Sequence, residues 1–340
     1  AYGTQPEIEV GRFLTEEAGY THTPPLLGAI ERAEPDGRIT ALGAAFGFVR
    51  NQGDGWLYTT EYLHRELERL RLEVPLADIQ AELEDDEPHG FFMSRARMLG
   101  QRTAEMHQAF AVPTENPAFA AEPITARDLS AWGRNVRKQA QRAFTMLRRV
   151  MRGLEPGPRQ EVEALLKQRK ACLERITALT RDPVRACKTR LHGDYHLGQV
   201  LVSQADFYII DFEGEPARPL AERRAKTSPL KDVAGMLRSF DYAAWSAVLT
   251  EAEFDPASTE VMLPLAEQWR LETEAAFMES YRASIAGCSS YPDDPVEARR
   301  LLELFLLEKA LYEICYEAAN RPAWLTIPIK GVAAILANRD

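Results

Sequence analysis

Histidine, carboxylate and amide side chains are concentrated around one short loop in the middle of this sequence. His192, Asp194 and His196 lie in that loop, and Gln199 and Asp211 flank two short apolar runs joined by a polar turn. Phosphoryl transfer uses one carboxylate to orient the acceptor hydroxyl, and a second carboxylate with a neutral oxygen donor to hold Mg²⁺ against the phosphates. The sequence therefore predicts Asp194 in the first role and Gln199 with Asp211 in the second.

Two other interpretations of these residues remain open. In the first, the loop is a hydrogen-bonded turn without a catalytic role, because isolated polar residues often form such turns. In the second, His192, Asp194 and His196 bind zinc with a remote ligand, although their spacing does not match a helix face and no cysteine lies nearby. The joint pattern of loop, strand, turn, strand and Asp-Phe-Glu-Gly at 211–214 favours phosphoryl transfer.

The loop also resembles a known motif. His192-Gly193-Asp194 with His196 is similar to the phosphotransferase motif of aminoglycoside-phosphotransferase-like kinases, which are relatives of the protein kinases. Longer strings resemble the maltokinase family, and most closely the maltokinase module that follows a trehalose synthase domain in fusion proteins. These strings are 194–201, 211–224 and 228–242.

The resemblance implies a fold and a division of the chain. The fold is α+β and protein-kinase-like, with a partial N-terminal lobe and a large, mostly helical C-terminal lobe. Residues 1–55 would be the remnant of the N-terminal lobe, with a helix, an antiparallel hairpin and the hinge. Residues 56–340 would form the C-terminal lobe, which contains a catalytic loop at 191–202 and a metal-binding segment at 207–214.

The resemblance also implies catalytic roles. Asp194 would be the base that directs the anomeric hydroxyl of maltose toward the terminal phosphate of ATP, with His196 beside it. Gln199 occupies the place of a metal-binding Asn, and Asp211 would bridge Mg²⁺ to the phosphates. Glu213 replaces the glycine of the usual motif and would either hold a second ion or pair with a nearby arginine. The arginines available for such a pair are Arg218, Arg223 and Arg224.

Nucleotide binding is expected from the N-terminal segment. Glu7 is assigned to a capping box with Thr4, so Glu9 becomes the expected partner of the lysine that grips ATP in such kinases. Phe48 and Val49 lie where the hinge would meet adenine.

Substrate selection is expected from the last third of the chain. Lys309, Tyr312 and Tyr316 share one helix face, and the resemblance implies that this face contacts maltose. An ordinary amphipathic core helix would give the same spacing.

One expected residue is absent from this chain. A complete kinase of this type carries its ATP-binding lysine before the helix at residues 6–17, whereas the first lysine here is Lys138. We therefore expect the chain to be the C-terminal portion of a longer polypeptide, and to be weak or inactive on its own.

Composition narrows the class of protein. The 340 residues carry 41 Lys and Arg against 51 Asp and Glu, a net charge of −10, which argues against nucleic acid as the main partner. Four cysteines without a Cys-x-x-Cys pair, and no apolar run of about 20 residues, favour a cytoplasmic protein without a membrane span.

The sequence thus predicts a maltokinase module that uses ATP and Mg²⁺ to make maltose 1-phosphate for α-glucan synthesis. Its expected partners are maltose and an attached upstream trehalose synthase domain. The alternatives are a kinase of another small hydroxyl or amine compound, and a non-catalytic scaffold that steadies the fused enzyme.

Overall fold

The computed structural model describes residues 3–33, 35, 39–73, 89–254 and 259–337, and it is rich in helices. The helices are α1 (Pro6–Arg12), α2 (Gly55–Glu73), α3 (Gly90–Ala109), α4 (Ala126–Val150), α5 (Pro156–Lys167), α6 (Arg169–Leu179), α7 (Leu220–Arg223), α8 (Leu230–Phe254), α9 (Thr259–Ile285), α10 (Pro295–Asn320) and α11 (Thr326–Ala337). The strands are β1 (Leu26–Ala33), β2 (Ile39–Phe46), β3 (Glu122–Pro123), β4 (Cys187–Lys188), β5 (Val200–Ser203) and β6 (Asp206–Ile209).

The strands of the described residues pair in three small sheets, β1 with β2, β3 with β4 and β5 with β6, and each pair is antiparallel. The hairpin predicted around the turn at 34–37 is confirmed, with Leu26 opposite Phe46 and Ala33 opposite Ile39. Its apolar residues Leu27, Ile30 and Leu42 are exposed.

Two compact units divide the chain. The first joins Ala1–Ala121 with Thr189–Ser290, and the second joins Glu122–Lys188 with Tyr291–Asp340. The expected lobe boundary at residue 55 lies inside the first unit, so the division into lobes stays a prediction. Within the described residues, no helix combines the length and apolar composition that a bilayer span requires.

Helix α1 begins without the expected capping box. Gln5 is the N-cap residue and its side chain makes no capping hydrogen bond, so the predicted Thr4–Glu7 box is wrong. Pro6 starts the helix instead, because the first helical position needs no backbone N–H. A π-helical turn, Phe13–Glu17, continues the helix and leaves Gly19 with a φ of +63°.

In the first unit, helix α8 packs against the catalytic loop. Asp232, Gly235 and Ser239 are spaced three and four residues apart, so they share one face of this helix. That face meets the loop, because Ser239 Oγ accepts from the Leu197 N–H at 3.1 Å. A Cβ atom at Gly235 would lie 2.5 Å from the Tyr195 carbonyl oxygen, so only glycine permits this approach.

The second unit has its own core, formed by α4, α5, α6, α10 and α11. A capping box at Thr125 and Asp128 starts α4, and Asp128 also accepts from Lys188 Nζ at 2.6 Å. The buried side chains of α4 are Leu129, Val136, Ala140, Ala143, Phe144 and Leu147.

Candidate active site

A short β-hairpin brings the two expected metal ligands together. Gln199 directly precedes β5, and Asp211 follows β6 after one residue, so the antiparallel pairing of Val200 with Ile209 places them side by side. The Gln199 amide nitrogen donates to Asp211 Oδ2 at 2.7 Å. Asp211 has a φ of +65°, a left-handed conformation that is uncommon outside glycine and is often found at functional sites.

A buried carboxylate holds the backbone of the catalytic loop. Asp232 Oδ2 accepts from the His192 N–H at 2.8 Å, and Oδ1 accepts from the Gly193 N–H at 2.9 Å. His107 Nε2 lies 3.3 Å from Oδ2. Burial alone would raise the pKa of Asp232, but hydrogen bonds from His107 and Gly193 lower that pKa below its ordinary value. Asp232 therefore stays ionised and fixes the loop just before Asp194.

Both ring nitrogens of His192 are engaged. Nε2 lies 2.8 Å from the Ile210 carbonyl oxygen, which can only accept, so Nε2 carries the proton. Nδ1 is then the acceptor for the Asp194 N–H at 3.3 Å. Because neither nitrogen is left for a metal, the zinc interpretation has no support here. Within the described residues, no three His, Cys, Asp or Glu side chains converge on a possible metal position.

Asp194 and His196 are two residues apart in the loop, on either side of the buried Tyr195, and both are partly buried. His196 Nδ1 accepts from the Gly198 N–H at 3.1 Å, which shapes the turn that leads to Gln199. Gly193, with a φ of +87°, lets the loop approach Gly214 of the expected metal-binding segment, because a Cβ at 193 would lie 3.4 Å from the Gly214 Cα. Asp194 and Asp211 therefore belong to segments that are packed together.

Glu7, a residue that the sequence assigned to a cap, faces this site. Burial, together with the negative charges of Asp211 and Glu213, raises the pKa of Glu7 to about 7, against the lowering effect of a hydrogen bond from the Phe212 backbone. Its buried Oε2 has no hydrogen-bond partner among the described residues. Glu213 lies 3.4 Å from Arg223 Nη1, which is the arginine pairing left open by the sequence.

The donor set fits a divalent cation. Mg²⁺ prefers oxygen ligands, usually takes one or two protein carboxylates, and completes its shell with water and phosphate oxygens. Asp211 offers a carboxylate, and Gln199, whose amide nitrogen faces Asp211, would offer its amide oxygen after a flip of the amide group. The excess negative charge that raises the pKa of Glu7 would be offset by such a cation. Metal binding by Glu213 stays a prediction.

Glu9 is occupied by two arginines. Its Oε2 accepts from Arg190 Nη1 at 2.8 Å and from Arg224 Nε at 2.8 Å, and its Oε1 accepts from Arg224 Nη2 at 2.5 Å. Burial alone would raise the pKa of Glu9, but these arginines lower it. Arg190 is 2% exposed and its guanidinium lies 5.0 Å from the Phe119 ring centre. Within this chain the expected lysine-pairing residue instead joins α1 to the start of the catalytic loop.

The expected hinge residues follow β2. Phe48 is 89% exposed, and Val49 is partly buried, with its carbonyl oxygen accepting from Asn51 Nδ2 at 3.0 Å. Adenine binding by Phe48 and Val49 stays a prediction.

The expected sugar-binding residues lie on α10 in the second unit. The Lys309 ammonium is 5.5 Å from the Tyr312 ring centre, and the rings of Tyr312 and Tyr316 lie 6.5 Å apart at 23°. These three residues do share one face, and 46% of Tyr316 is exposed. Their role toward a sugar stays a prediction.

One supporting pair was expected differently. The sequence suggests Asp232 and Arg238 as a structural pair below the catalytic loop. Arg238 instead pairs with Asp241, and Asp232 is engaged by the loop amides and His107. The i, i+3 spacing of Arg238 and Asp241 was a signal for this pairing.

Curated proteins related to this chain include two glucosamine kinases. The one from Streptacidiphilus jiangxiensis is 26% identical over 322 residues, which covers 94% of this chain and 63% of that protein. The one from Mycolicibacterium smegmatis is 31% identical over 242 residues, or 70% of this chain and 52% of that protein. The chain thus spans roughly half to two thirds of the length of these relatives. No family model matches the chain.

Solved glucosamine kinases share its fold. One crystal form superposes with a TM-score of 0.72 and 25% identity, covering 98% of this chain and 70% of that one. A complex with glucosamine, ADP and inorganic phosphate gives a TM-score of 0.74 and 23% identity, covering 99% and 74%. The chain therefore has the helix-rich α+β fold of these kinases. The expected fold class is supported at that level, whereas a maltokinase in particular is not.

Proposed function

We propose that this chain is the catalytic part of an ATP-dependent sugar kinase, with an amino sugar of the glucosamine type as acceptor. The observation that carries the proposal is the buried Asp232, which fixes the loop amides beside Asp194 while the hairpin places Gln199 against Asp211. Phosphoryl transfer depends mainly on positioning and charge stabilisation, and this geometry supplies both.

Each residue has a defined task in this proposal. The oxygen of the sugar hydroxyl forms a bond to the terminal phosphorus of ATP, and Asp194 accepts the hydroxyl proton. The bond between that phosphorus and the bridging oxygen breaks, and ADP leaves. Asp211 and Gln199 hold Mg²⁺, which when bound offsets negative charge on the phosphate oxygens. His192 and Asp232 keep the loop in place so that Asp194 needs no rearrangement.

The names of the relatives support glucosamine over maltose. Both curated relatives and the solved complex are glucosamine kinases. Maltose, the acceptor expected from the resemblance of residues 194–201 and 211–224, is the second candidate. The expected trehalose synthase partner has no support among these relatives and stays a prediction.

The test is acceptor-dependent ADP release by the longest natural polypeptide that contains this chain, with ATP and Mg²⁺. We expect turnover with glucosamine to exceed turnover with maltose, and Asp194→Asn to reduce kcat by at least 10³-fold with an unchanged melting temperature. Glu115→Gln, at an exposed residue outside the site, serves as the matched control and should keep full activity.

Two results would count against the proposal. Higher kcat/KM with maltose would restore the maltokinase interpretation. No Asp194-dependent turnover with any sugar or aminoglycoside would favour the scaffold alternative.

A further inference from the structure

The outer face of α4 carries a row of cations. These residues are exposed and lie within one angular sector of the helix, opposite the buried face that contains Val136 and Phe144. Between positions 127 and 152 the row is about 38 Å long at 1.5 Å per residue. Its members are Arg127, Arg134, Lys138, Arg142, Arg148 and Arg149, followed by Arg152 in the next turn. We call this row the basic stripe.

The basic stripe has no acidic counterpart on its helix. Asp128 is the one carboxylate of α4, and it is engaged by Lys188 and by the N-terminal cap. Among the residues that the structure describes, Arg134, Lys138 and Arg142 form no ion pair. Neighbouring helices differ, because Arg159 on α5 lies 3.1 Å from Glu163 and Lys170 on α6 lies 3.7 Å from Glu174.

Folding does not account for the stripe. Like charges four residues apart, such as Arg134 with Lys138 and Lys138 with Arg142, destabilise a helix. The helix dipole favours cations only in the last turn, which explains Arg148 and Arg149 but not the others. The cations in the middle of α4 therefore reduce the stability of the helix that carries them.

The segment that carries the stripe has a net charge opposite in sign to that of the whole chain. Residues 122–188 contain 16 Lys and Arg against 7 Asp and Glu, a net charge of +9, whereas the complete chain has −10. A surface of this sign attracts acidic groups at short range even though the net charge opposes them at a distance.

We propose that the basic stripe is a docking surface for an acidic polypeptide segment of a partner protein. Six of the seven cations are arginines, whose planar guanidinium groups match carboxylates in paired hydrogen bonds. The stripe is one helix wide. A nucleic-acid duplex or an anionic bilayer is wider than one helix and would extend beyond the stripe. An Asp- and Glu-rich segment of about 38 Å would cover the stripe alone.

The test uses the full chain and a fluorescein-labelled peptide of twelve glutamates, with binding measured by anisotropy at 50 and 200 mM NaCl. We expect Lys138→Glu/Arg142→Glu/Arg149→Glu to weaken binding at least tenfold and to flatten its salt dependence. A second variant with glutamine at the same three positions should weaken binding by a smaller factor. Circular dichroism establishes that each variant is folded.

The matched control reverses three other exposed cations of the same unit, Lys167→Glu/Arg181→Glu/Arg299→Glu, with the same change of net charge. Binding by this control should stay within twofold of the parent. An equal loss in the control would overturn the proposal. So would tighter binding of a 20-base-pair duplex or of phosphatidylserine vesicles, or salt-dependent self-association through the stripe in sedimentation velocity.

Discussion

At the scale of single residues, the site contains carboxylates in opposite electrostatic situations. Asp232 is buried but accepts hydrogen bonds from two loop amides and lies beside His107, and its pKa is lowered. Glu7 is partly buried beside other acids, its Oε2 has no hydrogen-bond partner in the described part of the chain, and its pKa is raised to about 7. Hydrogen bonding, rather than burial, separates the structural carboxylate from the one that a cation would stabilise.

The raised pKa of Glu7 predicts a pH-dependent stability. Its folded pKa of about 7 lies above the ordinary 4.5, so its favourable contribution is complete below pH 4.5 and is lost as pH rises through 7. We expect Glu7→Gln to raise the unfolding free energy at pH 8 by up to roughly 3 kcal/mol, and to raise the melting temperature accordingly. At pH 4.5 both quantities should change little. Thermal melts of both proteins at the two pH values measure this.

Magnesium should narrow that difference at pH 8, because a cation offsets the same repulsion. The control is Glu16→Gln, at an exposed glutamate of the turn after α1. A stabilisation by Glu7→Gln that is equal at pH 4.5 and pH 8 would contradict the assignment.

At the scale of elements, one face of α8 supports the catalytic loop, and the hairpin β5–β6 brings together Gln199 and Asp211, the two expected metal ligands. The sequence indicated the loop, the hairpin and Asp211, because all of them lie in one local string. It did not reveal the surroundings of Glu7 and Glu9, since residues two apart point to different sides of a helix and their partners are far away in the chain. Arg190 and Arg224, which engage Glu9, are such distant partners.

Helix boundaries are also only partly predictable from the local sequence. The pattern at 159–180 predicts one helix, but the chain forms α5 and α6 with a break at Gln168, where φ is −87° and ψ is 3°. No glycine or proline marks this break. The local pattern of residues therefore does not predict this break.

The close contact between α8 and the loop predicts a strong effect of one methyl group. Gly235→Ala would place Cβ 2.5 Å from the Tyr195 carbonyl oxygen, so the helix or the loop must move. We expect a loss of about 1–3 kcal/mol in unfolding free energy and at least a tenfold loss of kcat. Chemical denaturation and the ADP-release assay measure these quantities.

Gly157→Ala is the matched control, because nothing lies within 4 Å of a Cβ at that helical position. Alanine there should be neutral or stabilising by up to about 1 kcal/mol, since glycine is a poor helix former. Equal effects of the two substitutions would show that Gly235 is not required for close packing.

At the scale of the whole molecule, the two units differ in charge. The ranges 1–121 and 189–290 contain 19 Lys and Arg against 36 Asp and Glu, whereas 122–188 and 291–340 contain 22 against 15. The first unit is thus at −17 and the second at +7. The sequence alone did not reveal this division, because each unit is assembled from two separate stretches of chain.

This difference predicts an uneven response to salt. Self-repulsion is greater in the first unit, and screening at 150 mM reduces it, since the Debye length is then about 8 Å. We expect opening free energies from hydrogen exchange to rise between 20 and 150 mM NaCl by about 1 kcal/mol more in the first unit than in the second. An equal or opposite change would contradict this.

The arginine pair on Glu9 bears on how activity is controlled. In many protein kinases the helix of the nucleotide-binding lobe moves between an active and an inactive position. Here a comparable movement of α1 would separate Glu9 from both arginines and leave the buried Arg190 guanidinium without its carboxylate. A lone buried cation is costly, so we expect α1 to keep one position. Under the proposed function, the enzyme would then lack that on–off switch and would respond chiefly to the supply of its substrates.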